Sequence, residues 1–239
     1  MRAANARGSV GEKRLQLDFQ ARELTIKLVY YGPALSGKTT NLQAIHRLLL
    51  PDGRGRLMTL ETRDDRTLFF DLLPLTLSTE SGLTVRIKLF TVPGQVIHNS
   101  TRRLVLQGAD GVAFIADSQL NEVRANQAAF KDLRKNLREN GIDPSGMPVV
   151  IQYNKRDLPN IRTAEEIERM ARMGRERTYL ATATHGNGVM ETFMGLIEAA
   201  WENLQQQHSL SERFGLSPDE VKRNLSTRFA QNMEATGHG

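Results

Sequence analysis

The stretch Gly32-Pro33-Ala34-Leu35-Ser36-Gly37-Lys38-Thr39 decides the fold, because it matches G-x-x-x-x-G-K-[ST] between a predicted strand and a predicted helix. The strand is residues 25–31 (TIKLVYY), which are β-branched and aromatic; the helix is residues 39–50, with apolar residues at helical spacing. The glycines let successive backbone N–H groups converge on an anion at the helix N-terminus. This predicts a polyphosphate-binding loop; the alternative is a glycine-rich turn with a surface lysine.

Strand-like and helix-like segments alternate after this loop. The predicted strands are 73–79, 84–91, 111–117, 147–153 and 177–181, and the predicted helices are 121–140, one beginning near Thr163, and 189–204. Residues 51–68 are polar and turn-rich and predict a long functional loop. The β-then-α order predicts a doubly wound α/β domain with a mostly parallel sheet, helices on both faces, and its ligand at the carboxyl ends of the strands.

The composition excludes several classes of protein. The 239 residues are 39% hydrophobic and 25% charged, which is typical of a globular protein. There is no cysteine, so disulfides, thiol catalysis and zinc sites with cysteine ligands are excluded. No apolar run is long enough to span a membrane, and residues 1–14 lack the apolar core of a secretory signal. We therefore expect a cytoplasmic protein without stable membrane insertion.

The net charge of +5 is spread along the chain with no long basic tract, which gives little reason to expect nucleic-acid binding. Residues 1–23 predict a flexible N-terminal extension, 24–204 the nucleotide-binding domain, and 205–239 a C-terminal extension. Within the last, residues 217–233 have start signals and an apolar stripe that predict an amphipathic helix. That stripe has two possible roles, docking on the domain or on a partner.

A second polar loop, Asn154-Lys155-Arg156-Asp157, follows the predicted strand 147–153. A carboxylate such as Asp157 can accept two hydrogen bonds from the N1–H and 2-amino groups of guanine. Adenine lacks that pair of donors and would leave a buried Asp157 without a partner. We expect Asn154 to tie this loop to the phosphate loop and the Lys155 stem to cover one face of the base. The triplet Thr182-Ala183-Thr184 could place a backbone N–H at the guanine O6.

These motifs, in this order, resemble those of the Ras-like small GTPases. The segments LVYYGPALSGKTTNL, RTLFFDLLPL, TVPGQ, ADSQ and QYNKRDLPN are more specifically similar to the MglA group, bacterial GTPases of gliding motility and cell polarity. The resemblance covers residues 22–204. It implies a P-loop NTPase fold with one antiparallel edge strand, GTP/GDP and Mg²⁺ as ligands, recruitment to a cell pole, GTP-state effectors, and a roadblock-type GTPase-activating protein (GAP) of the MglB group.

The resemblance also implies roles for two switch loops. In the first, Thr67 would ligate Mg²⁺ and Arg66 would act as an arginine finger supplied in cis, neutralising charge in the transition state. In the second, the Gly94 N–H would bind the γ-phosphate and Gln95 would orient the attacking water. Thr91 stands where most Ras-like proteins have Asp; its hydroxyl can accept from an Mg²⁺-bound water but adds no negative charge. This predicts weaker Mg²⁺ binding.

Ala34 is a second departure, since Ras-like proteins usually have glycine there. We expect its methyl group to slow hydrolysis or to hinder partner-assisted hydrolysis, without abolishing GTP binding. The predicted catalytic residues are Gln95, Arg66 and Lys38, and the metal residues are Thr39, Thr67 and, through water, Thr91. The predicted nucleotide-binding residues are Gly32, Ala34, Leu35, Ser36, Gly37, Lys38, Thr39, Thr40, Thr67, Gly94, Asn154, Lys155, Asp157, Ala183 and Thr184. The sequence thus predicts a slow, GAP-stimulated GTP hydrolase; the alternative is a nucleotide-loaded scaffold with negligible hydrolysis.

Overall fold

The computed structural model describes residues 16–18, 22–49, 54–61, 69–78, 82–94, 99–214, 220 and 223. Its strands are β1 (Gln16–Asp18), β2 (Glu23–Tyr31), β3 (Met58–Glu61), β4 (Phe69–Ser78), β5 (Thr84–Thr91), β6 (Gly111–Asp117), β7 (Val149–Asn154) and β8 (Arg177–Leu180). Its helices are α1 (Lys38–Leu48), α2 (Asn99–Leu106), α3 (Val123–Glu139), α4 (Ala164–Met173), α5 (Val189–His208) and α6 (Leu210–Phe214). A short 3₁₀ turn, Leu120–Glu122, precedes α3.

The strands lie in the order β3-β4-β5-β2-β6-β7-β8, and β1 pairs with β2 beside that path. Strands β5, β2, β6, β7 and β8 are parallel, whereas β4 is antiparallel to β5 and β3 is antiparallel to β4. The predicted doubly wound, mostly parallel sheet is therefore confirmed. The antiparallel strand is also present as β4, although β3 lies beyond it and forms the edge.

Strand β3 lies within residues 51–68, which we predicted to be one long loop. It pairs with β4 from Met58, opposite Leu72, to Glu61, opposite Phe69. The sequence MTLE is short, and its strand conformation depends on hydrogen bonds to β4. The local sequence alone therefore does not predict this strand. Residues 51–53 and 62–68 of the predicted loop lie outside the described residues.

Two apolar cores lie on opposite faces of the sheet, and β2 contributes to both. Ile26 and Leu28 belong to the core that α1 and α5 cover, whereas Val29 and Tyr31 belong to the core beneath α2 and α3. All seven residues of β6 are buried. This agrees with the prediction of parallel strands covered on both faces, because such strands lack polar alternation.

Local sequence signals fix several helix ends. The Thr163 hydroxyl accepts from the Glu166 N–H at 3.2 Å, and the Glu166 carboxylate accepts from the Thr163 N–H at 3.0 Å, which caps α4 as its sequence predicts. Helix α1 begins directly after Gly37. Helix α2, by contrast, was not predicted.

Both predicted extensions contribute residues to the fold. Strand β1 lies within residues 1–23, so the expected flexibility does not apply to those three residues, which pair with β2. At the other end, α5 passes the predicted boundary at Leu204 and reaches His208, and Leu210 is buried in the first core. Of the predicted helix 217–233 the structure describes Glu220 and Arg223, both helical; the rest lies outside the described residues. Among the described helices, none is both long and apolar enough to cross a bilayer.

Candidate nucleotide-binding site

The phosphate loop joins the end of β2 to the start of α1, and its two glycines are required by close contacts. Gly32 has φ +150°, and a Cβ there would lie 2.3 Å from the Ile115 carbonyl oxygen. Gly37 has φ +96°, and a Cβ there would lie 2.2 Å from the Asn154 amide nitrogen. Both positions therefore demand glycine for backbone conformation and for space.

Lys38 is the first residue of α1 and is buried, with 7% of its surface exposed. Its Nζ donates to the carbonyl oxygens of Gly32, at 3.1 Å, and Pro33, at 2.6 Å. Burial, and then the charge of Arg102, lower the pKa of Lys38 to about 7, against an opposing effect of Asp71. An anion in this pocket would favour the charged form of Lys38, so the residue fits the predicted phosphate contact.

A carboxylate that the sequence analysis missed, Asp71 of β4, lies beside the phosphate loop. Its Oδ2 accepts hydrogen bonds from the hydroxyls of Thr39, at 2.6 Å, and Thr91, at 2.9 Å, and its Oδ1 accepts from Thr59, at 2.9 Å. Asp71 is 6% exposed. A signal was present in the sequence, because Asp71 is the only charged residue of β4 and lies on the same face as Leu73.

Asp71 corrects the expectation for Thr91. The Thr91 hydroxyl donates to the Asp71 carboxylate and accepts from the Asp71 N–H at 2.9 Å, so one lone pair remains for a metal-bound water. We expected this part of the site to lack the negative charge that an aspartate would bring. The neighbouring strand supplies a carboxylate at this point, so that premise does not hold, and the weaker Mg²⁺ binding itself stays a prediction.

Asn154 holds the site together at the carboxyl end of β7. Its Nδ2 donates to the Ser36 carbonyl oxygen at 2.8 Å, and its Oδ1 accepts from the Ala183 N–H at 3.0 Å. The predicted tie between Asn154 and the phosphate loop is therefore present. The same side chain also reaches the loop after β8, so three loops meet at one buried amide.

The rest of the NKRD loop differs in part from expectation. The Lys155 ammonium forms an ion pair with Asp117, at the end of β6, with a distance of 2.6 Å. Asp157 is exposed, although we expected it to be buried. Water can therefore solvate the Asp157 carboxylate in the free protein. A complex with a mismatched base would lack a favourable contact to Asp157, but it would not leave a buried charge without a partner.

Most of the remaining predicted residues fall into two groups, and Thr184, which belongs to neither, is exposed. A cavity of about 350 Å³ is lined by phosphate-loop residues, by Asp71, and by the segment from Thr91 to Gly94. The members of this lining that we predicted are Leu35, Gly37, Lys38, Thr39, Thr40, Thr91 and Gly94. Arg66, Thr67 and Gln95 lie outside the described residues.

Among the described residues, no three His, Cys, Asp or Glu side chains cluster as metal ligands, so the candidate metal site consists of Asp71 with threonine hydroxyls. These are oxygen donors, which Mg²⁺ prefers.

No family model matches this chain. It is 45% identical over 190 residues to the mutual gliding-motility protein MglA of Myxococcus xanthus, and the match covers 80% of this chain and 97% of that protein. The chain belongs to the MglA family. Identity at this level over nearly the whole relative confirms the resemblance noted in the sequence and, with the sheet order above, a Ras-like P-loop fold.

Membership of the MglA family makes this chain a small GTPase. About a fifth of the chain lies outside the aligned part. The family assignment agrees with the geometry, because the phosphate loop and the NKRD loop of this MglA-family chain meet at the same edge of the sheet.

Proposed function

We propose that this chain is a GTP-gated switch that binds GTP or GDP with Mg²⁺, hydrolyses GTP slowly, and engages partner proteins in its GTP state. The observation that carries the proposal is the position of Asn154, which contacts both the phosphate loop and the loop after β8. One nucleotide lying along the carboxyl ends of the strands would touch all three loops, which is the usual ligand position in such sheets.

In this proposal Lys38 and the backbone N–H groups of the phosphate loop bind the phosphates, and Asp157 accepts from the guanine edge. Arg66 neutralises charge in the transition state and Gln95 orients the attacking water. Thr67 and the Gly94 N–H respond to the γ-phosphate, so both switch loops are ordered with GTP and released after hydrolysis.

The residues at the phosphate end also fit Mg²⁺. The Thr39 hydroxyl would be a direct ligand, and the Asp71 carboxylate would accept from a metal-bound water. The ion would supply positive charge to the phosphate oxygens. We expect Asp71→Asn to raise the Mg²⁺ concentration needed for half-maximal GTP binding by about tenfold, because it removes a charge-assisted hydrogen bond. Asp143→Asn, an exposed acid elsewhere, is the control, and an unchanged Mg²⁺ requirement in Asp71→Asn would exclude this role.

The partners follow from the family. The relative is named for mutual gliding motility, and we propose that this chain regulates motility or cell polarity. A roadblock-type GAP of the MglB group would bind the switch face and reposition Arg66 and Gln95. Recruitment to a cell pole belongs to the same proposal.

Calorimetry with GTP, GDP and ATP tests the nucleotide. We expect GTP and GDP to bind and ATP to bind at least about tenfold more weakly, because adenine cannot donate two hydrogen bonds to Asp157. Asp157→Asn should weaken GTP binding and strengthen binding of xanthosine triphosphate, whose 2-oxo group accepts where guanine donates. Equal affinities for ATP and GTP would refute the proposal.

One contact favours a second candidate, a nucleotide-loaded scaffold with negligible hydrolysis. A Cβ on Gly94 would lie 2.3 Å from the Ala34 Cα, so the second switch loop closely approaches the phosphate loop. Phosphate release by Gln95→Leu and by the unmodified protein decides between the two. Equal rates at the background level would favour the scaffold.

A further inference from the structure

Arg102, in the first half of α2, is among the largest fully buried side chains of the described chain, with 2% exposure. A guanidinium remains charged at neutral pH, so its burial must be offset by close partners. Its neighbour Arg103 is half exposed and lies 3.4 Å from Glu139. The two consecutive arginines therefore have different surroundings, and the buried one calls for an explanation.

The Arg102 guanidinium donates in three directions. Its Nε donates to the Pro93 carbonyl oxygen at 2.9 Å, and its Nη2 donates to the Gly94 carbonyl oxygen at 2.5 Å. Its Nη1 donates to Asp132 of α3 at 2.6 Å. A planar, five-donor fork can hold two adjacent carbonyls and a carboxylate together, which the compact ammonium of lysine cannot do with the same geometry.

Asp132 is itself fixed by other residues. The same Oδ2 that Arg102 contacts accepts from the Tyr31 hydroxyl at 2.5 Å and from the Asn136 amide at 3.1 Å. Burial, and the hydrogen bond to Asp132, raise the pKa of Tyr31 above its ordinary value, so its hydroxyl remains a donor. Tyr31 directly precedes the phosphate loop. The network therefore links the start of that loop, through α3 and Arg102, to the second switch loop.

The hydrogen bond from Arg102 to the Pro93 carbonyl also affects the direction of the Gly94 N–H, because both groups belong to one peptide. The Pro93–Gly94 peptide is trans, so its C=O and N–H point in opposite directions. Arg102 holds the Pro93 C=O, so the Gly94 N–H of the same peptide points away from the guanidinium. Among the described residues no acceptor contacts that N–H, and Gly94 lines the cavity that also contains Lys38 and Thr39.

We propose that Arg102 is a positioning residue that orients the Gly94 N–H toward the γ-phosphate of GTP. The role is specific to GTP, because GDP has no γ-phosphate for this N–H to bind. The inference rests on the proposed GTP-gated switch and names a residue that sets its preference between the two nucleotides.

An alternative role for Arg102 is to stabilise the packing of α2 on α3 without affecting nucleotide preference. A purely structural role would weaken GDP and GTP binding by similar factors. A positioning role changes the ratio of the two affinities. The ratio of the dissociation constants for GDP and for the non-hydrolysable analogue guanosine 5′-(β,γ-imido)triphosphate therefore separates the two roles.

The experiment compares Arg102→Met, which keeps much of the apolar stem, with the unmodified full chain in the presence of Mg²⁺. We expect the affinity for the triphosphate analogue to fall about tenfold more than the affinity for GDP, as for loss of one hydrogen bond to a charged group. Arg103→Met, one position along the same helix, is the matched control and should leave the ratio unchanged. Arg102→Lys, which retains the charge opposite Asp132, is a second variant in case Arg102→Met does not fold. We expect it to show the same larger loss of affinity for the triphosphate analogue than for GDP.

The outcomes separate this inference from the function on which it rests. An unchanged ratio in folded Arg102→Met or Arg102→Lys would refute the positioning role and leave the GTP-gated switch intact. If the unmodified chain binds neither nucleotide, the proposed function itself is wrong and the positioning role falls with it. A larger loss for the triphosphate in both variants, with Arg103→Met unaffected, would support the proposal.

Discussion

The base end and the phosphate end of the proposed nucleotide site are built differently. At the base end, a neutral amide, Asn154, satisfies backbone groups of two other loops, and Lys155 has an acidic partner 2.6 Å away. At the phosphate end, Lys38 is buried near a second buried cation, Arg102, and the nearby carboxylate, Asp71, accepts from three threonine hydroxyls.

A bound nucleotide would therefore contribute differently at the two ends. At the base end Asn154 and Lys155 have their partners within the protein, so substitution of Asn154 should affect stability and should affect GDP and GTP binding alike. At the phosphate end, burial and the nearby charge of Arg102 disfavour the charged form of Lys38, as its lowered pKa indicates. Bound phosphates would neutralise that charge. Removing the charge should therefore stabilise the free protein and weaken nucleotide binding.

The largest effect is expected for Lys38→Met. We expect both nucleotides to bind at least about a hundredfold more weakly, because a buried charge that contacts phosphate is lost. The nucleotide-free protein should nevertheless become more stable, by about 1 to 3 kcal/mol, because a desolvated cation is removed. Thermal unfolding and calorimetry check the two parts. Lys131→Met, at an exposed lysine of α3, is the control. A Lys38→Met protein that is less stable than the unmodified protein would contradict the view that burial of the Lys38 charge destabilises the free protein.

Asn154→Ala tests the base end. The substitution leaves a buried carbonyl of Ser36 and a buried N–H of Ala183 without their partner, which should lower the unfolding free energy by about 2 to 4 kcal/mol. GDP and GTP affinities should fall by similar factors. Denaturant unfolding and calorimetry measure both. Asn140→Ala, which removes one exposed hydrogen bond, should cost less than about 1 kcal/mol. Unequal loss of the two nucleotides in Asn154→Ala would break the proposed division between the ends.

The lowered pKa of Lys38 predicts a pH dependence of binding. In the free protein Lys38 loses its proton above about pH 7, whereas bound phosphates favour the charged form. Binding above pH 7 then requires proton uptake, and GDP affinity should fall by about tenfold between pH 7.5 and 8.5. The folded-state pKa lies below that of the unfolded chain, so this group makes the free protein more stable as pH rises through the same window.

Calorimetry in buffers of different ionisation enthalpy measures this uptake. Lys38→Arg, which stays charged throughout, should bind with a flatter pH profile. An affinity of the unmodified protein that does not change between pH 7.5 and 8.5 would show that Lys38 keeps its proton in the free protein.

The sequence predicted most of the fold and about half of the site for a physical reason. Local patterns decide which residues form strands β2, β5 and β6, and a motif with fixed spacing such as the phosphate loop carries its own chemistry. Asp71 and Arg102 acquire their roles from register and helix orientation across the sheet. Nothing local distinguishes buried Arg102 from exposed Arg103, because only packing against α3 decides which of them faces inward.

The smallest change is expected at Ala34, where the phosphate loop lies close to the second switch loop. A Cβ on Gly94 would lie 3.0 Å from the Ala34 Cβ, so the methyl group occupies space beside the second switch loop. Ala34→Gly removes this methyl group and should let Gly94 and Gln95 approach the γ-phosphate more freely. We expect single-turnover hydrolysis to rise by about three- to tenfold, because a small change in catalytic geometry has effects of this size or larger. GDP affinity should change less than twofold, since the methyl group affects only the approach to the γ-phosphate, which GDP lacks. The same rate in both proteins, with and without a GAP, would show that the methyl group does not limit hydrolysis, and the phosphate end would then differ from the base end in charge alone.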